Sequence, residues 1–146
     1  MEKRLIKKDA LAGIARKMTG DFAVWAPVKK EDNVLFAPLG PGDEPFFAYL
    51  NSKNAPKNVF FPHTETMMKY TRTPQGMVFS SEVNKADQSV LFGVRPCDAH
   101  SFVVLDKLFD QEKYRDQYYI AKRQNTTVIT LACVKPPYVT LSLIHI

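Results

Sequence analysis

Cysteine is scarce in this chain: there are two, Cys97 and Cys133, and no C-x-x-C pair. That excludes a disulfide framework, and in a reducing compartment the two are expected to be thiols or ligands. Histidine is nearly as rare, with three in the chain, and none sits at ligand spacing from a cysteine, so a tetrahedral zinc site is not completed by the sequence. Long apolar runs are absent. No window is long enough to span a bilayer, and the basic N-terminus is not followed by the apolar stretch and small-residue cleavage site of a signal peptide. The expected location is the cytoplasm, with no membrane span. There is no G-x-G-x-x-G, no phosphate-binding Walker loop, no nucleophile elbow and no carboxylate pair at a spacing that demands catalysis.

What is present reads as a globular domain. Apolar residues make up 45% of the chain and charged ones 24%, and 146 residues suit one domain with a real core. The net charge of +5 permits an acidic partner. The basic residues are dispersed, however, and the densest group (Lys3, Arg4, Lys7, Lys8) opens a helix, so a solvated helix face is the reading and nucleic acid is not an expected partner.

Residues 7–18 predict a helix, with Leu11, Ile14, Ala15 and Met18 at helical spacing and Gly20 at its stop. The apolar segments 22–28, 33–37 and 46–50, punctuated by the Pro/Gly-rich 38–43, predict a small β-meander. Pro62 is placed to open a short helix, with Glu65 near its positive end, and residues 75–80 predict a further strand. The last third alternates more regularly. "SVLFGV" predicts a strand, 99–110 a helix with Asp98 as its cap, 111–125 a second helical segment, and "TTVITLAC" a closing strand. Strand, helical crossover, strand is a βαβ unit. The fold class is therefore α/β in a single domain: an N-terminal helix and meander followed by a βαβ unit.

That unit places both cysteines. Cys97 follows the first strand in "RPCD", and Cys133 ends the second. If the strands are parallel neighbours, both thiols reach the carboxyl edge of the sheet, where open α/β folds build their sites and where strands lie about 5 Å apart. Arg95 and the helix N-terminus favour a Cys97 thiolate, and prolines at 96, 136 and 137 stiffen the backbone near each sulfur. Core packing is the competing reading, strongest for Cys133, because free cysteine commonly behaves as a small hydrophobe. His63 and His100 read as ordinary surface or partly buried residues.

"LFGVRPCDAHSFVVLDKLF", followed by "DQYYIAKRQNTTVITLAC", resembles the N-terminal region of 4Fe-4S dicluster-domain electron-transfer proteins, among them sulfhydrogenase beta subunits and the A subunit of anaerobic sulfite reductase. "NVFFPHTETMMKY" is similar to the Phe-Phe-Pro…Glu segment of that family. The resemblance spans residues 7–140 and is strongest over 90–137. It implies an iron–sulfur subunit passing electrons between a flavin- or ferredoxin-type redox subunit and a catalytic hydrogenase or reductase subunit. With that family in view, the shared sheet edge makes Cys97 and Cys133 candidate ligands of a further [4Fe–4S] cluster, with Arg95 beside it. In the family a Thr-Cys-x-Cys element and a ferredoxin-like module follow. Here "LSLIHI" stands at that point and matches a translated library adapter. The resemblance thus implies an authentic domain over 1–140, a non-native tail over 141–146, a missing ferredoxin-like module, and no complete cluster within this chain. Three other readings stay open: a non-catalytic docking domain with structural cysteines, a flavin-binding subunit, and a basic nucleic-acid-binding domain.

Overall fold

The computed structural model describes residues 5–81 and 87–133; the expectations for Pro136, Pro137 and the 141–146 tail lie outside them. Helix α1 (Ala10–Met18) is followed by strands β1 (Ala23–Lys30) and β2 (Asn33–Pro38), a short 3-10 turn (Pro56–Val59), and strands β3 (Met68–Thr73) and β4 (Gly76–Ser81). Strand β5 (Ser89–Val94), helices α2 (Pro96–Phe109) and α3 (Gln117–Gln124) and strand β6 (Thr126–Thr130) complete the order. The α/β class is observed, and the predicted βαβ unit is present as β5, α2, α3 and β6.

One four-stranded sheet, in the order β2-β1-β5-β6, joins the N-terminal hairpin to that unit. β1 and β2 are antiparallel, whereas β1 runs parallel to β5 and β5 to β6. The hairpin is thus part of the same sheet as the βαβ strands rather than a separate meander. β5 lies between two parallel neighbours and is buried along nearly its whole length, as its unbroken apolar composition requires of a strand covered on both faces.

The two faces pack separately. On one, Val24, Ala26, Val28, Val90 and Phe92 meet Ala15, Leu11, Ile14 and Met18 of α1. On the other, Leu91, Val94 and Phe36 meet Phe102 of α2, Tyr119 of α3 and Phe60. Strand residues alternate between faces, so Val94 should share a face with Phe92. It joins Leu91 instead, because the pairing with β6 slips between Phe92 and Val94. Gly93, with φ of 87°, is the extra residue. A Cβ there would sit 2.9 Å from Phe47 Cε1, so only glycine fits this bulge.

Three local expectations are corrected, and one strand is added. Residues 46–50 are not a strand: Pro45 makes an isolated bridge to Val28, and a proline at the head of the segment removes a ladder donor. Pro62 opens no helix. The turn forms at Pro56 instead, and Glu65 is spent on an ion pair with Lys122. The strand predicted at 75–80 is present as β4, but its partner β3 was not anticipated. Asp98 does not cap α2. The capping position is held by Arg95 without a side-chain bond, whereas Asp116 caps α3 by accepting from the backbone N–H groups of Tyr118 and Tyr119 at 2.9 and 3.0 Å.

Candidate functional site

The carboxyl ends of β5 and β6 are held together past their last ladder pair, where the Leu131 N–H donates to the Val94 carbonyl at 2.9 Å. From there one chain turns through Arg95 and Pro96 into α2, and the other runs through Ala132 to Cys133. Both cysteines are therefore carried to one edge of the sheet, as the sequence predicts. Cys97 lies in the first turn of α2 and is exposed, while Cys133 is half-buried. They are close enough for Cys133 to act electrostatically on the Cys97 thiol.

The predicted Cys97 thiolate is corrected. Partial burial pushes this thiol above its ordinary pKa, and the neighbouring Asp98 carboxylate pushes it further. Hydrogen bonds from the backbone N–H groups of Asp98 and Cys97 oppose this without overcoming it, and Cys133 adds to the rise. The helix terminus acts in the expected direction but is outweighed by burial and by a like charge one residue away. Asp98 itself is raised by burial, against the pull of Arg95.

Arg95 is held from behind. Its guanidinium carbon stands 4.5 Å from the centre of the Tyr49 ring, a cation–π distance. The Tyr49 hydroxyl donates to the Gly93 carbonyl at 2.7 Å. Burial pushes the Tyr49 phenol up to about 12, with Arg95 opposing, so Tyr49 is a neutral platform. The Arg95 Nε is buried and has no hydrogen-bond acceptor among the described residues. A buried donor of this kind costs about 1–3 kcal/mol when left unmet, and a bound anion would meet it. Arg95 and Cys133 line an open groove of about 440 Å³, together with Lys8, Leu11, Phe47 and Leu50. Cys97 lies beside this groove rather than in its wall.

Two thiols supply half of a four-thiolate set. Among the described residues no group of three or more His, Cys, Asp or Glu side chains is arranged to hold a metal ion. His63 and His100 are exposed, in agreement with their reading as surface residues. Tyr49, Lys8 and the Gly93 bulge were not picked out from sequence. An isolated glycine inside an apolar strand was the available signal for the bulge; Tyr49 sits in an irregular segment and gave none.

No protein-family model matches the chain, and no solved structure matches it. A curated relative does: sulfhydrogenase 2 subunit beta of Pyrococcus furiosus is 28% identical over 115 residues, covering 79% of this chain and 33% of the relative. The chain therefore spans about a third of the length of the relative it matches. Among the described residues no helix is long and apolar enough to cross a membrane.

Proposed function

We propose that this domain belongs to an iron–sulfur electron-transfer subunit of a hydrogenase- or sulfite-reductase-type complex. In this reading Cys97 and Cys133 give two of the four thiolates of a [4Fe–4S] cluster. The observation that carries it is the meeting of two thiols on one sheet edge beside a buried Arg95 donor that has no acceptor among the described residues. The relative, itself a sulfhydrogenase subunit, supports the redox setting. The remaining two thiolates come from polypeptide other than the described residues, and the electron partners are a flavin- or ferredoxin-type subunit on one side and a catalytic subunit on the other.

The chemistry of the residues fits the group. When bound, a [4Fe–4S] cluster supplies one-electron transfer at a potential tuned by charge, hydrogen bonds and exposure. Cys97, whose thiol is raised above its ordinary value, gives up its proton when a metal binds, since coordination deprotonates a thiol outright. Arg95 offers a fixed positive charge and an unmet N–H to the net negative thiolate set, which favours the more reduced state. Tyr49 keeps the guanidinium in place, and Leu11, Phe47 and Leu50 limit water on the groove side.

The raised pKa of Cys97 also suits a second reading, in which both cysteines are structural and the domain serves only for docking. Iron content separates the two. In the intact protein, Cys97→Ser should remove the iron and the reduced-state electron paramagnetic resonance of one cluster. Unchanged iron and an unchanged spectrum would leave only the docking reading.

A further inference from the structure

Strands β3 and β4 form a hairpin apart from the main sheet. Its register pairs Met68 with Ser81, Tyr70 with Phe79 and Arg72 with Met77. Directly opposed residues of an antiparallel pair share a face, so one side of the hairpin presents Met68, Tyr70, Met77 and Phe79. The alternation is that of a strand pair built to bury this side, and the Tyr70 and Phe79 rings already pack at 6.4 Å. Yet the four side chains are 60–69% exposed. A two-stranded hairpin is marginal in water without a covered apolar face.

The apolar surface continues beyond the hairpin. Met67 and Ser81 at its root line an open groove of about 750 Å³ whose other wall includes Leu108 and Tyr114, both also largely exposed. Six such side chains offer roughly 600 Å² together, scaled from the area an aromatic or large apolar residue buries. That is at the upper end of patches on monomeric proteins and approaches the ~800 Å² per side of a standard interface.

Charge decides the occupant. Residues 68–81 contain Lys69 and Arg72 and no acidic residue, and Arg72 stands on the apolar side itself, opposite Met77. A second copy docking through this face would bring arginine towards arginine and add to the repulsion of a chain already at +5. We infer that the β3–β4 face with the adjoining groove is the docking surface for a different polypeptide, whose apolar patch is rimmed by carboxylates. This rests on the reading of the chain as a subunit of a larger complex.

The test uses the intact complex. A benzophenone side chain in place of Tyr70 should cross-link to an acidic segment of another polypeptide. The Tyr70→Ser/Phe79→Ser double variant should weaken subunit association at least ten-fold, while its thermal melt and iron content stay those of the parent, because neither side chain belongs to the two buried core clusters; Met77→Ser, which leaves the Tyr70–Phe79 pair in place, should weaken association in the same direction. Arg72→Glu should weaken association and reduce its salt dependence. Cross-links confined to this polypeptide or to a second copy of it, or a double variant that assembles like the parent, would overturn the inference. Loss of the Cys97-dependent cluster with assembly intact, or the reverse, tells failure of the functional reading from failure of this one.

Discussion

Replacing Gly93 with alanine should be among the most damaging single-methyl changes in the chain. Two costs add. At φ of 87° an L-residue pays about 1–2 kcal/mol for the left-handed conformation. The new Cβ would also lie 2.9 Å and 3.0 Å from Phe47 Cε1 and Cδ1 and 3.3 Å from Pro27 Cδ, and overpacking of this kind costs about 1–3 kcal/mol. The Phe47 ring is not free to yield at no cost, since it packs on Phe92 at 5.3 Å between centroids. The expected loss is about 2–5 kcal/mol, read as a lower urea midpoint with unchanged slope. Gly13→Ala is the matched control. It lies inside α1 with nothing within 4 Å of its Cβ position and should gain about 0.5–1 kcal/mol. Combining Gly93→Ala with Phe47→Ala should relieve the steric part and leave the backbone part. A Gly93→Ala chain within about 0.5 kcal/mol of the parent would refute the bulge as the cause of the register slip.

Further outcomes follow from the core and the site. Tyr119 is buried, donates to Asp106 Oδ1 at 2.7 Å, and shares that carboxylate with Arg123 Nε at 3.1 Å; Asp106→Ala should cost about 1–3 kcal/mol in urea unfolding, because it leaves the hydroxyl only the long 3.4 Å contact with the Phe102 carbonyl and leaves Arg123 without its carboxylate. Burial and the Asp106 carboxylate raise the Tyr119 phenol above its ordinary value. The unfolded chain therefore loses that proton first, near pH 10, so stability is full at neutral pH and declines above about pH 10; melting temperature against pH should show that decline, and Tyr119→Phe should make it shallower, with the raised Tyr49 phenol supplying the remainder. In the metal-free chain dibromobimane, which fluoresces when it bridges two nearby thiols, should label Cys97 and Cys133 together. Full fluorescence in Cys97→Ser would contradict their proximity.

The parts legible in sequence were those decided by local pattern. β5 and β6 are short apolar or β-branched runs bounded by polar residues and proline, and their crossover is helical, so their parallel pairing and the shared edge of Cys97 and Cys133 followed. Residues 46–50 carry the apolar run of a strand, but Pro45 at their head limits the pairing to an isolated bridge with Val28. β3 is hard to read from sequence because only Met68 and Tyr70 alternate with Lys69 and Thr71, Arg72 then falls on the apolar side, and the domain does not bury that side. For Cys97, Arg95 and the helix terminus are visible in sequence, whereas the burial that outweighs them is set by tertiary packing, with Asp98 adding to it. Tyr49 and Lys8 reach the site through tertiary packing of irregular or terminal segments, and no spacing rule reports that.

In the proposed function Cys97 and Cys133 act together as ligands, and alkylation of the intact protein tests this without mutation. In the native holoprotein both thiols should resist iodoacetamide, although Cys97 is exposed, and both should be labelled together once the cluster is removed, as read by peptide mass spectrometry. A Cys97 that is alkylated in the native holoprotein at the rate of a free thiol, with iron still bound, would contradict the account.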